Sequence, residues 1–198
     1  MKGIINILAI LGLAFFAAGC AKEEASEFNE RKDMIAVYLQ PGLTVDQKKA
    51  ILHRDPSLTF WVNPNRRRTY NIPEDERYGS DTFFLQSDKR ITQARMSALR
   101  DLEEVRYVSY MLEYKGQTVA VTDQILVKTT NGTEESRFAD LVRRYGCTYR
   151  PWLSSGNDYI VTVPKTSPLG TIALSRKFRE SDMVKYADPD FLFFMDDF

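Results

Sequence analysis

The sequence lacks most of the features on which catalysis or metal binding usually depends. Its 198 residues include two cysteines and one histidine. It contains no glycine-rich phosphate loop, no Cys/His cluster at zinc spacing and no Gly-x-Ser-x-Gly turn. The histidine, His53, lies three residues before Pro56 and is expected to be solvated at the end of a helix. We therefore expect a protein that is not an enzyme and that needs no metal or cofactor.

The sequence also has no excess of charge of either sign. It contains 27 acidic and 27 basic residues, so its formal net charge at pH 7 is zero. Proteins that bind nucleic acid usually carry a clustered basic surface, and a balanced composition argues against a strongly charged one. A nucleic-acid partner is therefore not expected.

Long apolar runs are missing except at the amino terminus. Residues 4–16 are mostly apolar, but this run is shorter than the ~20 residues that a membrane-spanning helix needs. Lys2 precedes the run, and the small residues Ala18 and Gly19 lie directly before Cys20. This pattern indicates a secretion signal, and its cysteine resembles the lipobox cysteine that bacteria acylate with diacylglycerol. We expect residues 1–19 to be a lipoprotein signal peptide and Cys20 to carry the lipid.

The expected anchor also predicts where the protein lies. A lipidated Cys20 would attach it to the outer membrane, facing either the periplasm or the cell surface. Lys22, Glu23 and Glu24 are similar to a short signal that exports lipoproteins to the surface in Bacteroidetes-type bacteria. Residues 20–33 contain few apolar side chains, and we expect them to form a flexible spacer that ends near Met34.

The other cysteine, Cys147, has no disulfide partner in the chain once Cys20 is lipidated. It begins a segment rich in aromatic residues, where a small buried side chain is more common than a catalytic thiol. We therefore predict that Cys147 is buried and unreactive. The charged pair Asp123 and Lys128 is interpreted as belonging to the edge of a strand rather than to a functional site.

Two successive segments of the chain predict the same order of elements. Residues 34–118 contain strand patterns at 35–39, 58–62, 82–85 and 107–114, and helix patterns at 44–52 and 92–105. Residues 119–198 contain strand patterns at 125–128, 147–152 and 159–163, helix patterns at 138–145 and 169–178, and a closing segment at 183–191. The order β-α-β-β-α-β predicts an α+β fold of two tandem ferredoxin-like units, each an antiparallel sheet with helices on one face.

The second segment also resembles a known family. The turn at Asn131-Gly132, the helix end at Tyr145-Gly146 and the alternating strand before Pro164 are followed by the sequence Tyr-Ala-Asp-Pro-Asp-Phe at residues 186–191. This succession resembles the propeptide of bacterial subtilisin-like serine proteases, the fervidolysin-like amino-terminal prodomain. Such propeptides have a ferredoxin-like fold, so the resemblance and the element pattern imply the same architecture.

The resemblance implies a membrane-anchored inhibitor or folding assistant of a subtilisin-like serine protease. In that family the open face of the sheet packs on two helices of the protease, and the carboxy-terminal tail lies in the active-site cleft as an added strand. Here the docking residues of the tail would be Leu192, Phe193, Phe194, Met195 and Phe198. Alternatively, Phe191 and Leu192 complete the protein's own sheet.

The resemblance assigns a role to Asp158 as well. This residue lies in the expected hairpin turn at residues 154–158, where an acidic side chain could cap the amino terminus of a protease helix. An ordinary solvated turn aspartate is the alternative. Two other functions stay open: a structural or adhesion lipoprotein that uses a propeptide-like fold without a protease, and a protease truncated before its catalytic domain.

The lipobox interpretation makes a direct prediction. Because the lipid would be attached through the thiol of Cys20, the substitution Cys20→Ser should move the protein from the detergent phase to the aqueous phase in a detergent-partition assay. The substitution Cys147→Ser is the matched control and should leave partition unchanged. A Cys20→Ser protein that stays in the detergent phase would contradict the lipobox.

Overall fold

The computed structural model describes residues 28–62, 77–152 and 156–194. In these residues, eight strands form one antiparallel sheet that is combined with four helices, an α+β fold. The strands are β1 (Phe28–Leu39), β2 (Thr59–Phe60), β3 (Thr82–Gln86), β4 (Val105–Tyr114), β5 (Gln117–Thr129), β6 (Thr148–Pro151), β7 (Asp158–Thr162) and β8 (Val184–Phe193). The helices are α1 (Val45–Leu52), α2 (Gln93–Arg100), α3 (Glu135–Arg144) and α4 (Thr171–Arg179).

The amino-terminal half is built around β1, and its strands lie in the order β2-β3-β1-β4. The alternating side chains Ile35, Val37 and Leu39 pack with the buried residues of α1 and α2. Their neighbours Met34 and Tyr38 point to the other face and belong to a core cluster shared with the carboxy-terminal half. Because successive side chains of a strand point to opposite faces, this half of the sheet is covered on both sides.

The carboxy-terminal half has the strand order β6-β7-β5-β8. Helices α3 and α4 pack on one face of it, where Phe138 and Phe178 meet Ile125 and Val127 in one cluster. Helix α3 presents its apolar side chains at helical spacing, and it stops before Gly146, which has a φ of 69°. Only residues without a β-carbon adopt this left-handed conformation without strain.

One strand, β5, joins the two halves. Its first residues pair with the end of β4, with Val119 opposite Leu112, and its last residues pair with β7. On its other side it pairs with β8 from Val119 to Thr129. The two halves therefore share a continuous sheet, and within each half the fourth strand lies beside the first.

The boundaries of several elements differ from those predicted. Strand β1 begins at Phe28, so the second half of the predicted spacer, residues 28–33, belongs to the sheet. The ring of Phe28 stacks on that of Tyr114 with 4.8 Å between the centroids, a contact that no local pattern encodes. Helix α2 ends at Arg100 rather than at Val105, because residues after Asp101 turn into β4.

The packing of α3 predicts a large effect of cavity formation. Leu141 is buried against the core cluster, so Leu141→Ala should lower the free energy of unfolding by ~2–5 kcal/mol, as other large-to-small core substitutions do. Arg144→Ala, on the exposed side of the same helix, should change it by less than about 0.5 kcal/mol. Urea unfolding of both variants measures the difference, and equal effects would contradict the packing described.

Candidate functional site

The predicted site residues fall into two groups. Cys20, Met195 and Phe198, with the signal peptide at residues 1–19, lie outside the described residues. Asp158, Leu192, Phe193 and Phe194 are described, and each of them has a place in the fold. The structure does not bring Asp158 together with the other three. Asp158 lies opposite Lys128 of β5, near the start of β8, whereas the other three lie at or just beyond the end of β8.

The residues Leu192 and Phe193 are the last part of β8 rather than a tail beyond it. Leu192 lies opposite Ala120 of β5, and Phe193 lies opposite Val119. The expectation that the tail begins beyond the closing strand is therefore wrong for these two residues. Completion of the sheet by Phe191 and Leu192, the alternative interpretation, is confirmed. Phe193 still presents 53% of its surface to solvent.

Phe194 is held by aromatic contacts with the amino-terminal half. Its ring lies edge-on to Trp61 and to Phe84, with centroid distances of 4.8 and 4.6 Å. Burial of a whole phenylalanine side chain contributes about 1.5–3 kcal/mol, and Phe194 is partly buried, so its removal would cost roughly 1–2 kcal/mol. Phe194 therefore cannot leave this position without loss of stability.

Asp158 is the first residue of β7 and is only 2% exposed, so it is not a solvated turn residue. Its carboxylate accepts a hydrogen bond from the Tyr186 hydroxyl at 3.2 Å and lies 3.3 Å from the Lys128 ammonium. Burial, followed by the charge of Asp158, raises the pKa of Tyr186. The carboxylate is buried while the Lys128 side chain remains 32% exposed, so the ion pair is half-buried. Asp158 therefore has a structural role within the fold, whether or not it also contacts a partner protein.

Around this ion pair, the sheet has a face that we call the outer face. It lies opposite α3 and α4, and its residues are neighbours across β5, β7 and β8. Along β5, the partly exposed side chains of this face alternate with buried ones that point to the helices. The outer face comprises Gln124, Leu126, Lys128, Asp158, Ile160, Tyr186 and Asp188.

The outer face combines an apolar centre with charges that are already paired. Leu126 lies directly opposite Ile160, and the Lys128–Asp158 pair is adjacent to them. Because the lysine and the carboxylate neutralise each other, covering this surface removes less solvation energy than covering single charges. Its chemistry therefore suits an apolar protein surface better than a charged ligand. Period-two alternation in β5 could have indicated this face from the sequence, but the partners of Lys128 could not be inferred locally.

A second cluster of polar side chains lies where the two halves meet. Asp123 is 2% exposed, and the Nε atom of Arg106 lies 3.1 Å from one of its carboxylate oxygens. The other carboxylate oxygen is buried without a hydrogen-bond partner in the described structure. Burial raises the pKa of Asp123, and the guanidinium of Arg106 opposes that change. The interpretation of Asp123 as a strand-edge charge near Lys128 is wrong, since its partner comes from the other half of the chain.

Asp190 of β8 belongs to the same cluster. It lies where the register between β5 and β8 shifts, and it accepts a hydrogen bond of 3.0 Å from the hydroxyl of Thr122. Burial raises the pKa of Asp190, the bond from Thr122 opposes this, and the nearby charge of Asp123 raises it further. The sequence gives no local signal for this pair, because it forms only when two distant strands align.

Cys147 and His53 are each placed by local contacts in the described structure. Burial raises the pKa of the Cys147 thiol to about 11, so the group is protonated at neutral pH, and the prediction of a buried cysteine is confirmed. His53 caps the end of α1, where its Nε2 atom lies 2.8 Å from the Tyr78 hydroxyl. In residues 28–62, 77–152 and 156–194, no three His, Cys, Asp or Glu side chains are grouped as metal ligands.

Two further findings concern membrane-spanning helices and similarity to known proteins. None of the helices in the described part is both long enough and apolar enough to span a membrane. The sequence matches no model of a known protein family, and no curated protein is significantly similar to it.

The cluster at the junction predicts how stability depends on pH. The folded state raises the pKa of Asp190, so between the unfolded and folded pKa values the folded protein binds more protons than the unfolded one. Stability must therefore fall as pH rises through this window. Asp190→Asn keeps an acceptor for Thr122 but cannot ionise, so it should be more stable than the wild type at pH 7.

Urea unfolding at a series of pH values from 3.5 to 7.5 measures this difference. The advantage of Asp190→Asn should shrink towards low pH, where the wild-type carboxyl is protonated as well. Asp182→Asn is the control, because Asp182 is exposed. An advantage that does not change with pH, or no advantage at pH 7, would contradict the assignment.

Proposed function

We propose that the protein is a membrane-anchored, propeptide-like module that inhibits a subtilisin-like serine protease or assists its folding. In this proposal both halves are ferredoxin-like units, Cys20 carries the lipid, and the carboxy-terminal half provides the docking surface. The strand order β6-β7-β5-β8, with α3 and α4 on one face, supports this architecture. The resemblance of residues 124–191 to subtilisin-type propeptides supports the choice of partner.

The observation that carries the proposal is the difference between the two halves of the sheet. In β1, six successive residues from Met34 to Leu39 are buried, so both faces are covered. In β5, Gln124, Leu126 and Lys128 are partly exposed while Ile125 and Val127 are buried. The outer face is therefore accessible along β5 and β8, with Leu126 as its exposed apolar residue, whereas its β7 residues Asp158 and Ile160 are buried.

The size of the outer face indicates that it does not act alone. Three strands about 4.8 Å apart and about five residues long cover only ~240 Å². A standard interface takes about 800 Å² from each partner. A second contact is therefore needed for tight binding, and we propose that the residues after Phe194 supply it by entering the protease cleft as an added strand.

One observation favours the alternative function, a structural or adhesion lipoprotein without a protease partner. Leu192, Phe193 and Phe194 are used inside the fold, and the Asp158 carboxylate is held by Lys128 and Tyr186. If these groups serve only stability, then no special surface for a protease is required. The two functions differ in whether the outer face has to be intact for activity.

Substitution on the outer face tests the first contact. Leu126→Glu places a charge at the apolar centre and should raise the inhibition constant for the cognate subtilisin-like protease at least ~10-fold, equivalent to about 1.4 kcal/mol. Ala98→Glu, on the exposed side of α2, should leave the constant unchanged. Thermal unfolding of both variants separates loss of binding from loss of fold. Equal inhibition constants for the two variants would contradict a role of the outer face in binding the protease.

Truncation tests the second contact. Deletion of residues 195–198 leaves the pairing of β8 and the packing of Phe194 in place, so the fold should be retained. If the tail occupies the cleft, the truncated protein should inhibit the protease more weakly by orders of magnitude. Equal potency of the two proteins would contradict cleft docking. Failure of both to inhibit or to assist refolding would favour the structural or adhesion function.

A further inference from the structure

A row of aromatic rings lies at one end of the sheet, and we call it the aromatic patch. It consists of Phe28, Tyr114, Phe191 and Phe193, contributed by β1, β4 and β8. Phe28 lies between Tyr114 and Phe191, with centroid distances of 4.8 and 5.1 Å, and Phe193 lies 6.2 Å from Phe191. The rings of Phe28, Tyr114 and Phe191 are stacked, and the ring of Phe193 is tilted against them at about 60°.

The patch covers a small core but is not itself covered. Phe28, Tyr114 and Phe191 pack over the buried side chains of Leu112, Val119 and Val121 and remain partly exposed. Phe193 is 53% exposed, and Val62 is the only other large hydrophobic residue that is strongly exposed in the described part of the chain. The aromatic rings shield this small core from water, but the outermost ring, that of Phe193, faces solvent.

A cation accompanies the rings. The ammonium group of Lys115 lies 4.9 Å from the centroid of the Tyr114 ring, in the turn between β4 and β5. Lys115 holds this position with a φ of 50°, in the left-handed region that a side chain rarely adopts. Aromatic rings beside a long cationic side chain are the composition that stabilises proteins at the interface between lipid headgroups and acyl chains.

The patch lies close to the expected anchor along the chain. Phe28 follows Cys20 by eight residues, a span of at most about 28 Å when fully extended. A lipid on Cys20 would therefore keep the patch within reach of the bilayer and at a high effective concentration. This step rests on the lipidation that forms part of the proposed function.

We propose that the aromatic patch is a second membrane contact, in which the exposed ring of Phe193 and its neighbours insert into the headgroup region of the bilayer. The two acyl chains of a diacylglycerol on Cys20 would already hold the protein at the bilayer, and the patch would add a contact between the folded protein and the headgroups. The contact would also orient the molecule. Tyr186 precedes Phe193 by seven residues along β8, so the outer face would stand roughly 20 Å above the patch, away from the bilayer.

Tryptophan fluorescence in brominated lipid tests the proposal. The full-length mature protein is reconstituted into vesicles of phosphatidylethanolamine and phosphatidylglycerol, with and without bromine on the acyl chains, as the variants Phe193→Trp and Lys185→Trp. Lys185 is exposed and lies on the same strand at about 26 Å from Phe193, so it is a matched control. The emission of Trp61 and Trp152 is subtracted with the wild-type protein.

The proposal expects that the added emission of Phe193→Trp is quenched by brominated lipid and shifts to shorter wavelength, while that of Lys185→Trp does neither. Equal quenching at both positions, or none at 193, would overturn it. A shift at 193 that needs no vesicles and grows with protein concentration would also overturn it, because it would place a second copy on the patch.

Mass spectrometry of the peptide that contains Cys20, from the same sample, shows separately whether Cys20 carries a lipid. Quenching at position 193 supports the patch whether or not this peptide carries a lipid. A lipidated Cys20 without quenching at 193 leaves the anchor intact and refutes the membrane contact.

Discussion

The architecture depends on the hydrogen bonding of one strand, β5. This 13-residue strand pairs with β4 at its beginning, with β7 at its end and with β8 along most of its length. Buried backbone groups must be paired, so a strand with partners on both sides cannot move without breaking several bonds together. The two halves of the chain are consequently parts of one sheet rather than two domains on a linker.

The point where the partners of β5 change is also where polar groups are buried. The register between β5 and β8 shifts between Val121 and Ile125, and Asp123 with Arg106 and Asp190 with Thr122 occupy this position. Burial and mutual repulsion raise the pKa of Asp190, so the arrangement costs stability at neutral pH. Polar contacts therefore define how the two halves meet, and they lower the free energy of unfolding at neutral pH.

The elements that could be predicted from the sequence are those whose pattern is local. The spacing of Phe138, Leu141 and Val142 indicated the buried side of α3, and Gly146 indicated its end. The order of strands and helices in each half followed from the same kind of signal. The early start of β1 at Phe28 could not be predicted, because it depends on pairing with β4 far along the chain.

The candidate site follows the same division. Alternation along β5 was present in the sequence, whereas the contacts of Asp158 with Lys128 and Tyr186 depend on the register of three strands. The pairing of Leu192 and Phe193 with β5 likewise depends on non-local alignment. Because Asp158, Leu192 and Phe193 are used inside the fold, the proposed docking site is the outer face rather than these single residues. The chain after Phe194 is the proposed second contact.

The most direct test is a methyl NMR titration of the protein with a subtilisin-like protease inactivated by replacement of its catalytic serine. Our account predicts that the methyl resonances of Leu126 and Ile160, on the outer face, shift or broaden as the protease is added. Those of Ile91 and Leu99, in the core of the amino-terminal half, should stay unchanged. Unchanged resonances at Leu126 and Ile160 with saturating protease would contradict the proposed docking.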